Sequence, residues 1–304
     1  MSSIRFEDRV AIVTGAGGGL GRAHSLLLAS RGAKLVVNDL GGAVDGSGSS
    51  ASAADKVVEE IRSAGGEAVA SYDGVHSADG ATGIVKTALD AYGRVDIVIN
   101  NAGILRDVSF KKLDAEAWDK VLRVHLDGTM HVSKAAWSIM REQAYGRIVN
   151  TTSAAGLYGN FGQTNYAAAK LGIVGLSKTL AQEGFKYNIK CNVIAPIARS
   201  RMTEAMLPPA LLEKLAPDFV SPLVALLCAE SCPVSGEIYA VGGGYVSRVA
   251  VMEGAGAVVS AGDGMSPEQV QAAWEQINDL SGATAYKQAM EAAAAAFKAM
   301  AEAS

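Results

Sequence analysis

Tyr166 and Lys170 stand four residues apart in Asn165-Tyr166-Ala167-Ala168-Ala169-Lys170, thirteen positions after Ser153. On a helix that spacing puts both side chains on one face, about 6 Å apart along the axis. An ammonium so placed favours the phenolate and brings a group of reference pKa about 10 toward use as a base nearer neutrality. A serine hydroxyl beside it would hydrogen-bond the reacting oxygen. The chemistry is proton transfer to or from an alcohol. Alone, the pair also fits an exposed lysine and a half-buried tyrosine on an Ala-rich helix, so the elements that position it decide its meaning.

The first such element is Val10 to Thr14, a short apolar run that ends in Gly15-Ala16-Gly17-Gly18-Gly19-Leu20-Gly21, with Leu20 to Arg31 reading as a helix. Strand, glycine turn and helix in that order make a phosphate-binding unit: glycines admit a pyrophosphate to the backbone, and the helix N-terminus offers amide donors. Gly15, Gly19, Leu20 and Gly21 are the candidate contacts. A second strand, Lys34 to Asn38, leads to Asp39. A carboxylate there accepts hydrogen bonds from the adenosine ribose and repels a 2′-phosphate, which favours NAD over NADP. The same aspartate also suits a turn or cap before Gly41-Gly42.

Residues 41–52, rich in Gly and Ser, form a surface loop longer than an ordinary strand-to-helix connection, near the adenosine end. A helix over 53–64 and a strand over 67–71 bring the chain to Asp73-Gly74-Val75. This segment either reaches an adenine edge or only begins a turn. A helix over 78–92 precedes the apolar strand 95–99, of the kind buried on both faces. Asn100-Asn101-Ala102-Gly103 follows, with amides that can tie strands together and line the crevice. Asp114 is the N-cap of a long helix. The strand 147–151 delivers Ser153 to the sheet edge, and a loop over 154–164 separates it from Tyr166. A sixth strand at 189–195, a mixed segment from Pro196 to Pro217, a helix over 218–228 and a seventh strand at 238–241 complete the alternation.

That alternation predicts an α/β fold: a Rossmann-type, doubly wound, seven-stranded parallel sheet over residues 1–248, with ligands bound outside the carboxyl ends of the strands. Residues 249–304 form a helical C-terminal extension. There, Ser266-Pro267-Glu268-Gln269 predicts a capped helix to about Asp279. Tyr286, Met290, Ala293, Phe297 and Met300 form a narrow apolar stripe that needs a surface, on its own domain or on a partner subunit.

The 304 residues carry a formal net charge of -4, which speaks against nucleic acid or anionic membrane. With no apolar run of 18 residues and a polar start, the chain is expected to be soluble and cytoplasmic. Three cysteines, without a cluster to complete a site, point to a reducing compartment and to no metal. His24 and His131 read as surface or packed residues, and His76 as part of a loop.

Thr14-Gly15-x-x-x-Gly19-x-Gly21, Asn100-Asn101-Ala102-Gly103, Ser153 and Tyr166-x-x-x-Lys170 stand in the order and spacing of the short-chain dehydrogenase/reductase family. Val37 to Gly42, Asn101 to Asp107, Arg123 to Leu126, Tyr158 to Gln163 and Ser200 to Thr203 resemble a closer group within it, the dehydrogenase units of peroxisomal multifunctional enzymes of type two. The resemblance implies NAD-dependent oxidation of (3R)-hydroxyacyl-CoA thioesters, with 17β-hydroxysteroids as further substrates, in a homodimer and in a stand-alone bacterial form. It implies that Tyr166 is the base, that Ser153 orients the hydroxyl and that Lys170 binds the nicotinamide ribose. His125 stands where the wider family has an asparagine, as a variant relay or a packing residue. Pro196 is followed by Ile197 in place of the family's glycine, beside the carboxamide contacts. The alternatives are an NADPH-dependent 3-ketoacyl-ACP reductase and a non-catalytic NAD-binding scaffold or sensor.

Overall fold

The computed structural model describes residues 3–43, 45–197, 208–260, 262 and 264–303. The resembling segment Ser200 to Thr203, with residues 198–207 of the expected Pro196 to Pro217 segment, lies outside the described residues. The chain divides into two units, Met1–Arg248 and Val249–Ser304.

In the first unit, β1 (Val10–Thr14), β2 (Lys34–Asn38), β3 (Glu67–Ser71), β4 (Ile97–Asn100), β5 (Gly146–Thr151), β6 (Ile189–Pro196), β7 (Ile238–Gly242) and β8 (Tyr245–Val249) form one sheet in the order β3-β2-β1-β4-β5-β6-β7-β8. The ladders from β3 through β7 are parallel. β8 is an addition to the expected seven. It follows β7 after only Gly243 and Gly244, both at positive φ, and a link that short closes only an antiparallel pair.

Helices α1 (Gly19–Ser30), α2 (Ser52–Ser63), α3 (Ala78–Tyr92), α4 (Ala115–Leu122), α5 (Gly128–Gln143), α6 (Ala154–Tyr158) and α7 (Thr164–Gly184) supply the crossovers. The central strands read as unbroken apolar runs because both faces are covered. Leu28, Leu35, Val37, Val57, Ile61 and Ile99 pack in the core on one side, and Ile12, Val36, Ile84, Val98, Met140 and Ile148 in the core on the other. Each such side chain contributes roughly 1.5–3 kcal/mol by leaving water.

Polar groups inside the sheet are paired across strands. Asn100 Nδ2 donates to Asn150 Oδ1 (2.8 Å) and to Ser133 Oγ (3.0 Å), and Asn150 Nδ2 donates to Ser177 Oγ (2.8 Å). These bonds fix β4 to β5 and both to α5 and α7. At the opposite, amino end of the strands, buried Asp96 is held by Arg9 and by a two-point contact from Arg94 (2.7 Å each).

Two expected elements differ in detail. The long helix after Asp114 is interrupted by a π-turn at Arg123–Asp127, which separates α4 from α5. Residues 154–164, expected as loop, contain α6, because the Ser153 hydroxyl accepts from the Ala155 N–H and caps it.

In the second unit, Ser266 and Gln269 form the expected capping box. The helix they open is broken into Pro267–Ala272 and Trp274–Ile277. The last helix, Ala289–Glu302, begins after Tyr286 and leaves Met290 and Phe297 exposed. Glu253 and Thr284 pair in an isolated antiparallel bridge.

Candidate active site

The strand order reverses between β1 and β4, and the chain diverges there to opposite faces of the sheet, the usual place for a ligand crevice. Gly15 leaves β1 at φ +62, and a Cβ on it would stand 2.8 Å from Ala102 Cα, so the turn can pass the end of β4 only as glycine. Thr14 pins this crossing: its hydroxyl accepts from the N–H groups of Asn101 and Ala102, at 3.1 Å each. Asn101 Nδ2 donates to the carbonyls of Thr14 and Gly15, also at 3.1 Å. Asn101 therefore acts by tying β4 to the glycine turn. Gly21 has a packing role as well, since a Cβ there would lie 2.2 Å from the Gly15 carbonyl oxygen.

A cleft of about 940 Å³ opens above this crossing. It is lined by Gly15, Gly18, Gly19, Asp39, Asp73, Gly74, Val75, Ala102, Gly103 and Ile104, among others. Most of the sequence-expected cofactor contacts thus meet in one wall; Leu20, Gly21, Asn101, Tyr166, Lys170 and Pro196 stand outside the lining. Gly18, the N-cap of α1, is extended at φ −169 and offers no side-chain cap, so the first-turn amides of α1 are left for a ligand. Open amides, glycines at Gly15 and Gly19 that hold positive φ, and a cleft of this size fit the phosphates of a dinucleotide.

Asp39 fills the turn role weighed from the sequence, and it lines the cleft as well. Its Oδ2 accepts from the Gly17 N–H (2.8 Å) and its Oδ1 from the Gly41 N–H (2.6 Å), so the carboxylate fixes the glycine turn to the start of the long loop. Each oxygen keeps a second lone pair for a ribose hydroxyl. Asp73 lines the cleft, while its backbone carbonyl accepts from Asn38 Nδ2 (2.9 Å). The long loop reaches farther than the adenosine end: Arg106 Nε donates to the Asp45 carbonyl (3.1 Å), and a Cβ on Gly46 would lie 3.1 Å from Ile104 and from Lys120. Lys120, Arg123 and Glu116 line the cleft as well. Arg123 opens a resembling segment, but no motif marked Glu116 or Lys120, which come from α4.

β5 and α7 bring together the three residues first singled out. Gly156 lets α6 press against α7, since a Cβ there would stand 2.6 Å from Lys170 Cβ. Ser153, at the start of α6, consequently stands close enough to Tyr166 for its hydroxyl to favour the phenolate. Lys170 Nζ is buried, donates to the Thr151 carbonyl (2.7 Å) and lies 5.5 Å from the centre of the Tyr166 ring.

The direction of the tyrosine pKa differs from the sequence expectation. Burial raises it and outweighs the Ser153 hydroxyl that lowers it, and the Asp107 charge raises it further. Burial also pulls Lys170 down to about 7, which removes much of the positive charge counted on to favour the phenolate.

His125 lies on the π-turn with its ring edge-on to Tyr166, centroids 5.1 Å apart and planes at 89°. Its Nε2 is 3.0 Å from the Ile104 N and 2.8 Å from the Ile104 O. Burial, with the nearby Lys170 charge, holds His125 down to about 3. The imidazole is therefore neutral. His24 is packed, with Nδ1 2.8 Å from Ser221 Oγ. All three cysteines are buried, burial pushes the Cys191 thiol up to about 12, and no metal-binding cluster exists among the described residues. Among the same residues, no helix is long and apolar enough to cross a membrane.

Residues 9–207 match the family model described as short chain dehydrogenase. A short-chain type dehydrogenase/reductase of Mycobacterium tuberculosis is 58% identical over 277 residues, covering 91% of this chain and 96% of its own. The peroxisomal multifunctional enzyme type 2 of Mus musculus is 55% identical over 93% of this chain, which spans only 38% of that longer protein. The solved full-length peroxisomal multifunctional enzyme type 2 of Drosophila melanogaster superposes with a TM-score of 0.85 at 40% identity, over 98% of this chain and 50% of that one. With the glycine turn, the tied Asn101 and the Ser153, Tyr166 and Lys170 cluster on one sheet edge, these likenesses make the chain an oxidoreductase that belongs to the short-chain dehydrogenase family.

Proposed function

We propose that the protein oxidises (3R)-hydroxyacyl-CoA thioesters to 3-ketoacyl-CoA with NAD, with 17β-hydroxysteroids as possible second substrates, and that Ser153, Tyr166 and Lys170 carry the chemistry. The observation that carries the reading is the gathering of Ser153 and Lys170 on Tyr166, with Lys170 Nζ 5.5 Å from the tyrosine ring, while His125 joins that ring to the Ile104 segment lining a cleft sized for a dinucleotide. Likeness to the multifunctional enzymes supports the acyl-CoA substrate.

Ser153 orients the substrate hydroxyl toward the phenol oxygen and stabilises the carbonyl as it forms. Tyr166 accepts the hydroxyl proton. Lys170, kept in place by the Thr151 carbonyl, would bind the nicotinamide ribose hydroxyls. The bound nicotinamide supplies the hydride acceptor and a positive charge. Asp39, with a lone pair free on each oxygen, supports NAD over NADP by accepting from the ribose and repelling a 2′-phosphate.

The apolar stripe of the last helix supports a homodimer. Sedimentation should show twice the chain mass of 31.3 kDa; a monomer at micromolar concentration would count against it. The deciding measurement is kcat/KM with NAD and with NADP for short, long and steroid-side-chain (3R)-hydroxyacyl-CoA substrates, alongside a 17β-hydroxysteroid. Equal use of the two cofactors would refute the role of Asp39. Turnover of ACP thioesters with NADPH, and not of CoA thioesters, would replace the substrate reading.

A further inference from the structure

We propose that His125 is a positioning residue for Tyr166, bracing the phenol ring against the Gly103 and Ile104 wall of the cofactor cleft. The proposal rests on Tyr166 being the base, and the experiment below separates the two.

Three contacts converge on this one side chain. Its ring meets Tyr166 edge-on at 5.1 Å, a geometry in which the positive rim of one ring faces the negative face of the other. A Cβ on Gly103 would stand 2.3 Å from His125 Cε1, so the wall closes directly on the imidazole. Nε2 faces both polar groups of the Ile104 backbone, at 3.0 and 2.8 Å. Gly103 and Ile104 line the cleft. His125 therefore links the cofactor wall to the catalytic ring through a single rigid group.

The local backbone is shaped for this contact. The i→i−4 ladder is broken at Arg123–Asp127 and nowhere else between Ala115 and Gln143. Such π-turns recur at functional sites. A proton-carrying role fits poorly. Nε2 is committed to Ile104, and buried Nδ1 has no hydrogen-bond partner among the described residues. Burial and the Lys170 charge both disfavour an imidazolium here.

The test compares His125→Gln with His125→Ala in the full chain. Glutamine places an amide near the position of Nε2, where its oxygen accepts from the Ile104 N–H and its NH₂ donates to the carbonyl. Alanine removes both the ring and the brace. Bracing predicts that His125→Gln keeps kcat within about tenfold of wild type, with an unshifted pH profile. It predicts that His125→Ala loses roughly a hundredfold or more in kcat while NAD affinity changes only a few-fold.

If the two variants lose kcat to the same extent, or if His125→Gln loses a limb of the pH profile, the brace is refuted. Wild-type kcat in His125→Ala refutes it too. Should His125→Ala fail to fold, His125→Phe takes its place: it fills the volume but loses both Ile104 contacts, and must show the large kcat loss. Tyr166→Phe is measured alongside. Turnover retained there overturns the assignment of the base, whatever the ratio of the His125 variants.

Discussion

Gly21→Ala asks whether the packing of α1 on the glycine turn controls cofactor binding. In an open helix the change would stabilise by about 1 kcal/mol, because alanine has the higher helix propensity. Here the new methyl would stand 2.2 Å from the Gly15 carbonyl oxygen, 2.7 Å from Asn101 Nδ2 and 2.9 Å from Ala16 Cα. A carbon and a carbonyl oxygen rest no closer than about 3.3 Å. α1 must therefore withdraw by about 1 Å from a turn that Asn101 and Thr14 hold in place. Overpacking of this kind costs about 1–3 kcal/mol, which leaves a net loss of about 1 kcal/mol and a Tm lower by roughly 2–4 °C.

The effect on binding should be larger relative to its control. Withdrawal carries the first-turn amides of α1 away from the phosphates. Losing one charge-assisted hydrogen bond, worth about 1.5–3 kcal/mol, weakens NAD at least tenfold. The assay is thermal unfolding beside NAD titration by calorimetry, on three variants. Gly175→Ala, on α7 with nothing within 4 Å, should gain stability and bind NAD normally. Gly18→Ala, on extended backbone in open space at the cleft, should leave unfolding unchanged and weaken NAD. If Gly21→Ala raises Tm and binds NAD as Gly175→Ala does, the reasoning from close approach is wrong.

Tyr166→Phe should abolish turnover and retain NAD binding; activity within about tenfold of wild type would refute Tyr166 as the base. Asp39→Ala removes the acceptor of the Gly17 and Gly41 N–H groups. It should weaken NAD and narrow the preference over NADP, as read from the ratio of kcat/KM values. Burial holds His24 down to about 4, below its ordinary value, so as pH falls the unfolded chain takes up a proton that the native chain refuses. Stability is therefore present above about pH 6.5 and lost as pH falls toward 4. His24→Gln should flatten that part of the urea-unfolding profile, leaving the contribution of His125; an unchanged slope would refute it.

Much of the fold was legible because its signals are local. β1, the glycine turn and α1 announce themselves through an apolar run followed by residues that alone tolerate the needed φ. Asp114 and Ser266 cap their helices as their spacing predicts. The π-turn was not legible. Trp118, Val121, Leu122, Val124 and Leu126 continue a helical pattern, and only packing against α7 and the Gly103 wall makes five residues there depart from it. The short α6 was hidden in the same way, since its start depends on the Ser153 hydroxyl turning back onto the Ala155 N–H.

The candidate site divides along the same line. Residue types and spacing determined that Ser153, Tyr166 and Lys170 come together and that Asp39 follows the second strand, because one helical turn and one strand-to-helix connection fix those relations. The tertiary structure decided the rest. It set the sign of the Tyr166 shift, because desolvation depends on what surrounds the phenol and not on which residue lies four positions away. It gave Asp39 two backbone partners from separate loops. It showed Asn101 tying β4 to the glycine turn and Gly21 packed against it, since only the assembled sheet brings the end of β4 against the turn after β1.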